Sequence, residues 1–437
     1  MIAAAKAGVL MLALAAGGSE VSAQVTFPPD SAVRRLLDER VRDGRAAGLV
    51  VGMIEADGSS RWLSAGRAGD GRTLGPETVF EIGSITKVFT GVLLADMVRR
   101  GEVSLDDPVS KYLPSHVTVP VRDGKAITLA HLSTQTSGLP RLPSNLRPAD
   151  PTNPYADYTV EQLYEFLGGY TLARDPGAQY EYSNLGAGLL GHALALRAGT
   201  SYEELVRVRI LEPLRMHDTG ITLTAAQRQR MAAGHEAGGD TVSLWDLPTL
   251  AGAGALRSTM ADMLKFADAA LRGTGPVHDA MREALRLRAP AGSPTMGIGL
   301  GWHRLAVQPD TIVWHNGGTG GFRSFIGVVP TAGRAVVLLT NSGGGGSDDL
   351  ALHLLNPSLP LAPPPRQAVE VPAALLERYV GTYDLAPTFS LVITFADGAL
   401  RMTPTGQGTV RLWAESDTKF FIREVDAQVT FDVAADG

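Results

Sequence analysis

The sequence contains no cysteine and very little lysine. Without cysteine, this chain of 437 residues can form no disulfide, no thiol nucleophile and no cysteine-zinc site. Its six lysines are so few that a lysine inside a motif is less often accidental. The net charge is −6 and no basic run is present, which argues against a nucleic-acid-binding surface. Composition therefore excludes several classes of site before any motif is considered.

Long apolar runs are also missing, except near the N-terminus. There Lys6 precedes an apolar run at residues 7–16, and Val21-Ser22-Ala23 offers small residues where a signal peptidase would cut. This pattern predicts a cleavable signal peptide over residues 1–23, since the run is too short to span a bilayer comfortably. The alternative is a frayed apolar N-terminus. We therefore expect an exported, periplasmic protein without integral membrane association.

The hydrophobic fraction of 44% and the charged fraction of 19% are typical of a globular chain with room for more than one domain. Strand patterns occur early and late in the chain, and helical patterns fill most of the interval. The predicted helices cover residues 31–45, 160–167, 185–196, 202–210 and 260–271, and the predicted strands cover residues 47–55, 61–65, 311–315, 322–330 and 335–340. This order predicts an α+β fold in which an antiparallel sheet joins both ends of the domain around a helical subdomain.

A proline-rich segment divides the chain near its end. Five of the residues from 356 to 366 are proline, which predicts a stiff linker. The first domain would then cover residues 27–355, and a small all-β module would cover residues 367–437. The module ends in Asp436-Gly437, a turn signal with no returning strand, so an incomplete sheet is one interpretation of it.

The most informative stretch covers residues 78–98. It predicts a short extended run, a turn at Gly83 and a helix that begins near Ser84 and continues to Val98. Lys87 lies one turn after Ser84 on the same helix face, and free N–H groups at a helix N-terminus favour negative charge. A hydroxyl, an amine and anion-stabilising N–H groups this close together predict an activated nucleophile.

The alternative is a serine that caps a helix and a lysine whose charge is solvated. A second Ser-x-x-Lys match, at Ser416 and Lys419, lies in a predicted turn between strands, so the match is weak by itself. Two further elements of the sequence favour the chemical interpretation.

The second element is Tyr182-Ser183-Asn184, between a loop and a predicted helix. A phenol and a carboxamide two residues apart can point to the same side. A nearby lysine ammonium can lower the pKa of the phenol enough for proton exchange. The alternative is that Tyr182 packs in the core and Asn184 caps the helix.

The third element is the glycine-rich strand end from Trp314 to Phe322. Glycines let a ligand approach the backbone closely and leave N–H groups free to hold an oxyanion. His315 lies in this strand and is expected to titrate near neutral pH. The alternative is a glycine-rich bulge with an incidental histidine. The other histidines show no metal-ligand spacing.

Taken together, the three elements resemble the penicillin-recognising serine hydrolases, most closely the class C β-lactamase-like branch. That family carries Ser-x-x-Lys, then Tyr-x-Asn, then Lys-Thr-Gly or His-x-Gly on a strand. The matching residues here are Ser84 and Lys87, Tyr182 and Asn184, and His315 and Gly317. Segments at residues 136–140, 211–219 and 299–302 support the match, which spans roughly residues 30–345. The C-terminal module resembles the lipocalin-like appendage of some peptidase-like relatives.

The resemblance implies a β-lactamase/transpeptidase-like fold and acyl transfer. Ser84 would be the nucleophile, with Lys87 and Tyr182 sharing the base role. The oxyanion would lie between the backbone N–H groups of Ser84 and Gly318, and Tyr182 would activate the hydrolytic water. No metal or organic cofactor is implied. The implied substrate-binding residues are Asn184, which would hold the substrate amide, His315, Gly317, Gly318 and Thr319.

The expected substrate is a small molecule, and His315 affects which one. β-Lactamases of this branch usually have lysine there, whereas histidine is familiar from related D-amino-acid peptidases and esterases. Lysine is a permanent cation and histidine a conditional one. We expect β-lactam hydrolysis, with a carboxylesterase or D-amino-acid peptidase as the first alternative. A penicillin-binding or sensing protein with poor turnover is the second alternative.

Overall fold

The computed structural model describes residues 26–69, 71–236, 239–344, 347–364, 366–386, 389–406, 408–422 and 427–434. The signal peptide predicted at residues 1–23 lies outside these ranges. Within them, every helix falls short of the length and apolarity that crossing a membrane requires. The chain forms two compact units, and the division falls between Leu361 and Ala362.

The first unit contains most of the helices and one large sheet. Its helices are α1 (Asp30–Arg42), α2 (Thr86–Arg99), α3 (Leu129–Ser133), α4 (Val160–Gly169), α5 (Asn184–Ala198), α6 (Tyr202–Val206), α7 (Ala225–Arg230), α8 (Ala251–Gly254), α9 (Met260–Leu271), α10 (Pro276–Ala284) and α11 (Asp348–Leu355). Its strands are β1 (Gly48–Ile54), β2 (Ser60–Gly66), β3 (Val79–Glu81), β4 (Val121–Arg122), β5 (Lys125–Ala126), β6 (Gly234–His235), β7 (Thr241–Val242), β8 (Arg257–Thr259), β9 (Ala289–Ala291), β10 (Ser293–Ile298), β11 (His303–Val307), β12 (Asp310–Gly318), β13 (Arg323–Val329) and β14 (Arg334–Thr340).

An eight-stranded antiparallel sheet joins the two ends of this unit, in the order β2-β1-β14-β13-β12-β11-β10-β9. β1 pairs with β14, so that Leu49 lies opposite Thr340 and Ile54 opposite Ala335. The early hairpin and the late meander therefore belong to one sheet, with the helical region inserted between them in sequence. This arrangement confirms the predicted α+β class.

Helices cover both faces of the sheet. On the face covered by α1 and α11, a hydrophobic core cluster includes Val336 and Leu338. On the opposite face, a larger hydrophobic core cluster includes Val337 and Leu339. Consecutive strand residues point to opposite faces. Because both faces are covered, every residue of β14 is buried.

Some elements differ from the sequence-based expectation. The helix predicted at residues 260–271 is α9, with the same bounds. The helix predicted at residues 202–210 is divided into α6 and a π-helical segment, Arg207–Leu211. Strands β9, β10 and β11 and helix α10 were not predicted, because glycine and proline interrupt the apolar pattern near them.

The second unit consists mainly of strands. It contains α12 (Ala373–Leu376), a 3-10 segment (Glu377–Tyr379), and the strands β15 (Gly381–Ala386), β16 (Phe389–Ala396), β17 (Ala399–Pro404), β18 (Val410–Arg411), β19 (Trp413–Ala414), β20 (Lys419–Ile422) and β21 (Ala427–Thr430). Its described strands form a four-stranded sheet and a three-stranded sheet. This unit has its own buried core, which includes Tyr379, Ile393, Leu400, Phe420 and Phe431. The predicted C-terminal β-structure is present.

Candidate active site

Ser84 lies in a tight turn at the start of α2. Gly83 has a φ of +47°, a left-handed conformation that glycine adopts without a Cβ clash. The 3-10 segment Gly83–Ile85 then leads directly into α2. Among the described residues, no side-chain hydrogen bond caps either segment, so Ser84 is not the helix cap of the alternative interpretation.

The end of β12 packs directly on this turn. A Cβ on Gly83 would lie 2.7 Å from Gly318 N, and a Cβ on Gly317 would lie 2.0 Å from the Ile82 carbonyl oxygen. The Ser324 hydroxyl donates to the same carbonyl at 2.8 Å. The absence of side chains at these glycines therefore permits the close approach of strand and turn.

One backbone edge of this strand end has no strand beside it. β11 pairs with β12 only as far as His303 opposite Trp314. From His315 to Gly318, β12 pairs in the described part of the sheet with β13 alone. An unpaired edge next to a nucleophile suits an extended substrate or an oxyanion, and it contains the predicted donor Gly318.

Lys87 lies one turn after Ser84 and is almost fully buried. Every residue of α2 from Thr86 to Met97 is buried. The Lys87 amine contacts three oxygen atoms and no carboxylate of a described residue. Its Nζ lies 3.0 Å from Ser84 Oγ, 2.9 Å from Asn184 Oδ1 and 2.7 Å from the Ala253 carbonyl oxygen.

These surroundings favour a neutral amine. Burial lowers the pKa of Lys87 well below its usual value, and the positive charge of Arg141 lowers it further. A neutral amine has two hydrogens and one lone pair. It can donate to Asn184 and Ala253 while its lone pair accepts the hydroxyl proton of Ser84. The geometry is that of a general base beside a nucleophile.

The loop after α3 holds the second element in place. Ser183 N donates to Gln135 Oε1, and Ser183 Oγ donates to the Pro140 carbonyl oxygen, both at 2.6 Å. The Arg141 carbonyl oxygen accepts a hydrogen bond from Asn184 N at 3.0 Å. This loop therefore fixes the backbone on which the predicted phenol and carboxamide are mounted.

Ser183, rather than Asn184, caps α5. Its Oγ accepts from Gly186 N at 2.8 Å, and Asn184 is the first residue of the helix. The capping alternative for Asn184 is therefore wrong. The Asn184 side chain instead accepts from Lys87 through Oδ1 and donates from Nδ2 to the Tyr155 hydroxyl at 3.2 Å.

Tyr182 also lies beside Lys87. Its ring centroid lies 4.8 Å from Lys87 Nζ and 5.0 Å from the guanidinium carbon of Arg141. Burial raises the pKa of Tyr182, and a hydrogen bond with the Ser84 side chain opposes this only in part. The expectation of a lowered phenol pKa is therefore wrong, because desolvation of the phenolate outweighs the charge of Arg141. Tyr182 is a neutral phenol in this structure.

His315 is buried and neutral. Only 2% of its surface is exposed, and its Nδ1 lies 2.5 Å from the Asn316 carbonyl oxygen. Burial lowers the pKa of His315 well below its usual value, and the charges of His303 and Lys87 lower it further. The expectation that His315 titrates near neutral pH is therefore wrong. Its ring remains part of the site, 6.3 Å from the ring of Tyr182.

Thr319 is also buried, and its hydroxyl lies near Glu81 at the end of β3 without forming a hydrogen bond to any described residue. Burial raises the pKa of Glu81, while the nearby Thr319 side chain and the charge of Arg257 oppose the shift. Glu81 also accepts from Trp245 N at 2.8 Å. The Thr319 hydroxyl therefore lacks a hydrogen-bond partner among the described residues, and its role in substrate binding stays a prediction.

Three residues that belong to no motif complete the site: Gln135, Arg141 and Tyr155. Arg141 and Tyr155 lie in the Pro-, Asn- and Asp-rich region at residues 141–158, whose composition is typical of the irregular loops that line sites. Gln135 gave no sequence signal. In the described ranges, His, Asp and Glu form no group of three suited to a metal ion.

Comparisons with known proteins bear on the family and the fold of this chain. Residues 33–356 match the family model Beta-lactamase, and residues 365–437 match a domain of unknown function, DUF3471. The chain is 32% identical over 330 residues to the D-alanyl-D-alanine-carboxypeptidase/endopeptidase AmpH of Escherichia coli strain K12, across 71% of this chain and 83% of AmpH. It is 29% identical over 300 residues to a beta-lactamase of the same strain, across 61% of this chain and 76% of that relative.

Among solved structures, the crystal structure of a beta-lactamase/D-alanine carboxypeptidase from Pseudomonas syringae superposes with a TM-score of 0.65. The match covers 76% of this chain and 99% of that chain at 21% sequence identity. At this sequence identity the match shows the fold alone. It confirms the β-lactamase/transpeptidase-like architecture that the three sequence elements predicted.

Proposed function

This chain belongs to the beta-lactamase family of penicillin-recognising serine hydrolases, and we propose that it hydrolyses the β-lactam amide through an acyl-enzyme on Ser84. One observation carries the proposal. The buried amine of Lys87, with its lowered pKa, lies 3.0 Å from Ser84 Oγ and has no carboxylate partner among the described residues. In its neutral form such an amine can accept the serine proton.

In acylation, Ser84 Oγ forms a bond to the carbonyl carbon, and its proton passes to Lys87 Nζ. The negative charge moves to the carbonyl oxygen, which the backbone N–H groups of Ser84 and Gly318 would hold. The carbon–nitrogen bond then breaks, and the leaving nitrogen takes the hydroxyl proton of Tyr182. The Lys87 ammonium returns a proton to Tyr182. A raised phenol pKa suits this role of proton donor better than the role of base.

Hydrolysis reverses these proton movements. A water molecule attacks the ester carbon, and its proton passes through the Tyr182 hydroxyl to Lys87. The ester bond to Ser84 breaks, and Lys87 returns a proton to Ser84 Oγ. Asn184, fixed by Lys87 and Tyr155, has one amide hydrogen left for a substrate carbonyl. We also propose export, on the predicted signal peptide at residues 1–23.

Turnover of the chromogenic cephalosporin nitrocefin tests the proposal. We expect the purified protein to open nitrocefin, and Ser84→Ala to lose that activity while keeping its thermal midpoint. No turnover by the wild-type protein at high enzyme concentration would refute β-lactam hydrolysis. A stable penicillin adduct that is never released would instead indicate the binding or sensing protein.

A second candidate is a D-amino-acid peptidase or esterase on the same scaffold. The buried, neutral His315 favours it, because no lysine cation stands at that position. The peptidase AmpH is also among the similar relatives. Comparing kcat/KM for nitrocefin, a D-alanyl-D-alanine peptide and p-nitrophenyl butyrate ranks the candidates, with Ser84→Ala as the control for each substrate.

A further inference from the structure

Among the described residues around Ser84, only one exposed cation has no carboxylate partner. Lys87 and His315 are buried, and desolvation favours their neutral forms. His303 is buried too, and burial and the charge of Lys87 lower its pKa to about 4. Arg141, by contrast, is exposed, and its side chain lies over the ring of Tyr182.

The backbone of Arg141 is rigidly held. Its carbonyl oxygen accepts from Asn184 N at 3.0 Å and from Leu185 N at 3.3 Å, at the first turn of α5. The preceding residue, Pro140, accepts from Ser183 Oγ at 2.6 Å. The loop that positions Tyr182-Ser183-Asn184 therefore also positions the guanidinium of Arg141. Contact with the ring of Tyr182 orients the guanidinium further.

The charge of Arg141 reaches several groups of the site. It lowers the pKa of Lys87, and it opposes the burial that raises the pKa of Tyr155, Tyr180 and Tyr182. Its position beside Tyr182, the proposed proton donor to the leaving group, places this charge on the leaving-group side of the scissile bond. A planar guanidinium binds a carboxylate through two parallel hydrogen bonds.

We propose that Arg141 recognises a carboxylate on the leaving-group side of the substrate and thereby selects anionic acyl donors. This inference rests on the proposed function, since it assumes acyl transfer to Ser84. β-Lactamases of this branch usually have a strand lysine at the position of His315, and that lysine would bind the substrate anion. In this chain the loop residue Arg141 would take over that recognition. Such a residue acts on substrate selection and leaves the chemistry at Ser84 to Lys87 and Tyr182.

Arg323 is the other cation to consider. A Cβ on Gly318 would lie 2.0 Å from a guanidinium nitrogen of Arg323, so this side chain is beside the strand end. Burial lowers the pKa of Arg323, and the negative charge of Asp348 opposes this shift. Asp348 also accepts from Asn316 Nδ2 at 2.5 Å. We therefore assign anion recognition to Arg141 and include Arg323 in the test.

A pair of matched esters tests the proposal on the full chain. Both are aryl esters of N-(phenylacetyl)glycine, and the phenol carries either a meta-carboxylate or its methyl ester. For Arg141→Gln we expect kcat/KM for the carboxylate ester to fall about tenfold or more relative to that for the methyl ester, mostly through KM. Any effect of the lost charge on Lys87 is common to both esters and cancels in this ratio. Arg141→Lys should recover part of the preference, because it restores the charge without the planar fork.

Arg147→Gln is the matched control, since Arg147 is an exposed arginine of the same loop whose side chain, among the described residues, hydrogen-bonds only to backbone carbonyls. It should leave the ratio of the two kcat/KM values unchanged. An equal loss for both esters in Arg141→Gln, or no loss for either, would overturn the proposal. Loss of the preference in Arg323→Gln instead of Arg141→Gln would also overturn it.

Failure of the proposed function gives a different result. If the wild-type protein cleaves neither ester in a Ser84-dependent manner, acyl transfer and the role of Arg141 fall together. If Ser84→Ala abolishes cleavage of both esters but the ratio does not depend on Arg141, only the role of Arg141 is wrong. Thermal midpoints of all variants separate these results from misfolding.

Discussion

At Lys87, two physical effects act in the same direction. Removal from water disfavours the ammonium, and the guanidinium of Arg141 repels it. The sequence located this lysine but could not give its charge. Two of the three oxygens that surround its amine belong to Asn184 and Ala253, which lie 97 and 166 positions further along the chain. Burial of this kind is a property of the folded chain and has no local signal.

Substitution of Lys87 tests its role as base. For Lys87→Ala we expect kcat/KM for nitrocefin to fall about 10²- to 10⁴-fold, because the serine proton loses its acceptor. Lys111→Ala is the control, since Lys111 is an exposed lysine paired with Asp107 at 2.8 Å. Activity lost equally in both variants would contradict the assignment.

The pH dependence of the wild-type protein follows from the lowered pKa of Lys87. The neutral amine is the active form, and its fraction increases as pH rises through that pKa. We therefore expect kcat/KM to rise with pH and level off well below the usual lysine value of 10.5. If kcat/KM still rises with pH near 10.5, burial does not neutralise the amine of Lys87.

At the scale of elements, the packing of β12 on the turn at Gly83 assembles the site. Sequence patterns predicted the meander of β12, β13 and β14, because alternating and apolar runs mark strands. They also predicted helix α9 with its observed bounds. They did not predict that Gly317 would lie against the Ile82 carbonyl oxygen, since contacts between distant segments leave no local pattern.

Gly317→Ala tests this contact. The new methyl group would overlap the Ile82 carbonyl oxygen, so strand and turn must separate. We expect the free energy of unfolding to fall by about 1–3 kcal/mol. We also expect kcat/KM to fall about 10²-fold, because the Gly318 N–H moves away from the oxyanion. Denaturant unfolding and nitrocefin kinetics measure the two effects.

Gly168→Ala in α4 is the control for this substitution. Apart from its chain neighbours and the backbone of α4 itself, no atom of a described residue lies within 4 Å of its added Cβ, and alanine favours a helix. Stability should stay the same or rise, with activity unchanged. If Gly317→Ala behaves like Gly168→Ala, the close approach of strand and turn is not required.

At the scale of the molecule, each of the two units has its own buried core. The hydrogen bonds that position Ser84, Lys87 and Asn184 all lie in the first unit. We therefore predict that a chain ending at Leu361 folds and keeps its Ser84-dependent hydrolysis of p-nitrophenyl butyrate. Circular dichroism and the thermal midpoint show whether it folds. A folded but inactive shortened chain would show that the second unit contributes to the reaction.

The central claim is that Ser84 forms an acyl-enzyme, and the intact mass of the protein after rapid mixing with benzylpenicillin tests it most directly. Opening of the β-lactam ring loses no atom, so we predict a mass increase equal to the whole penicillin. Peptide mapping should place it on Ser84, and hydrolysis should return the protein to its original mass. Ser84→Ala should show no increase. A wild-type protein that gains no mass, or an equal gain in Ser84→Ala, would contradict the account.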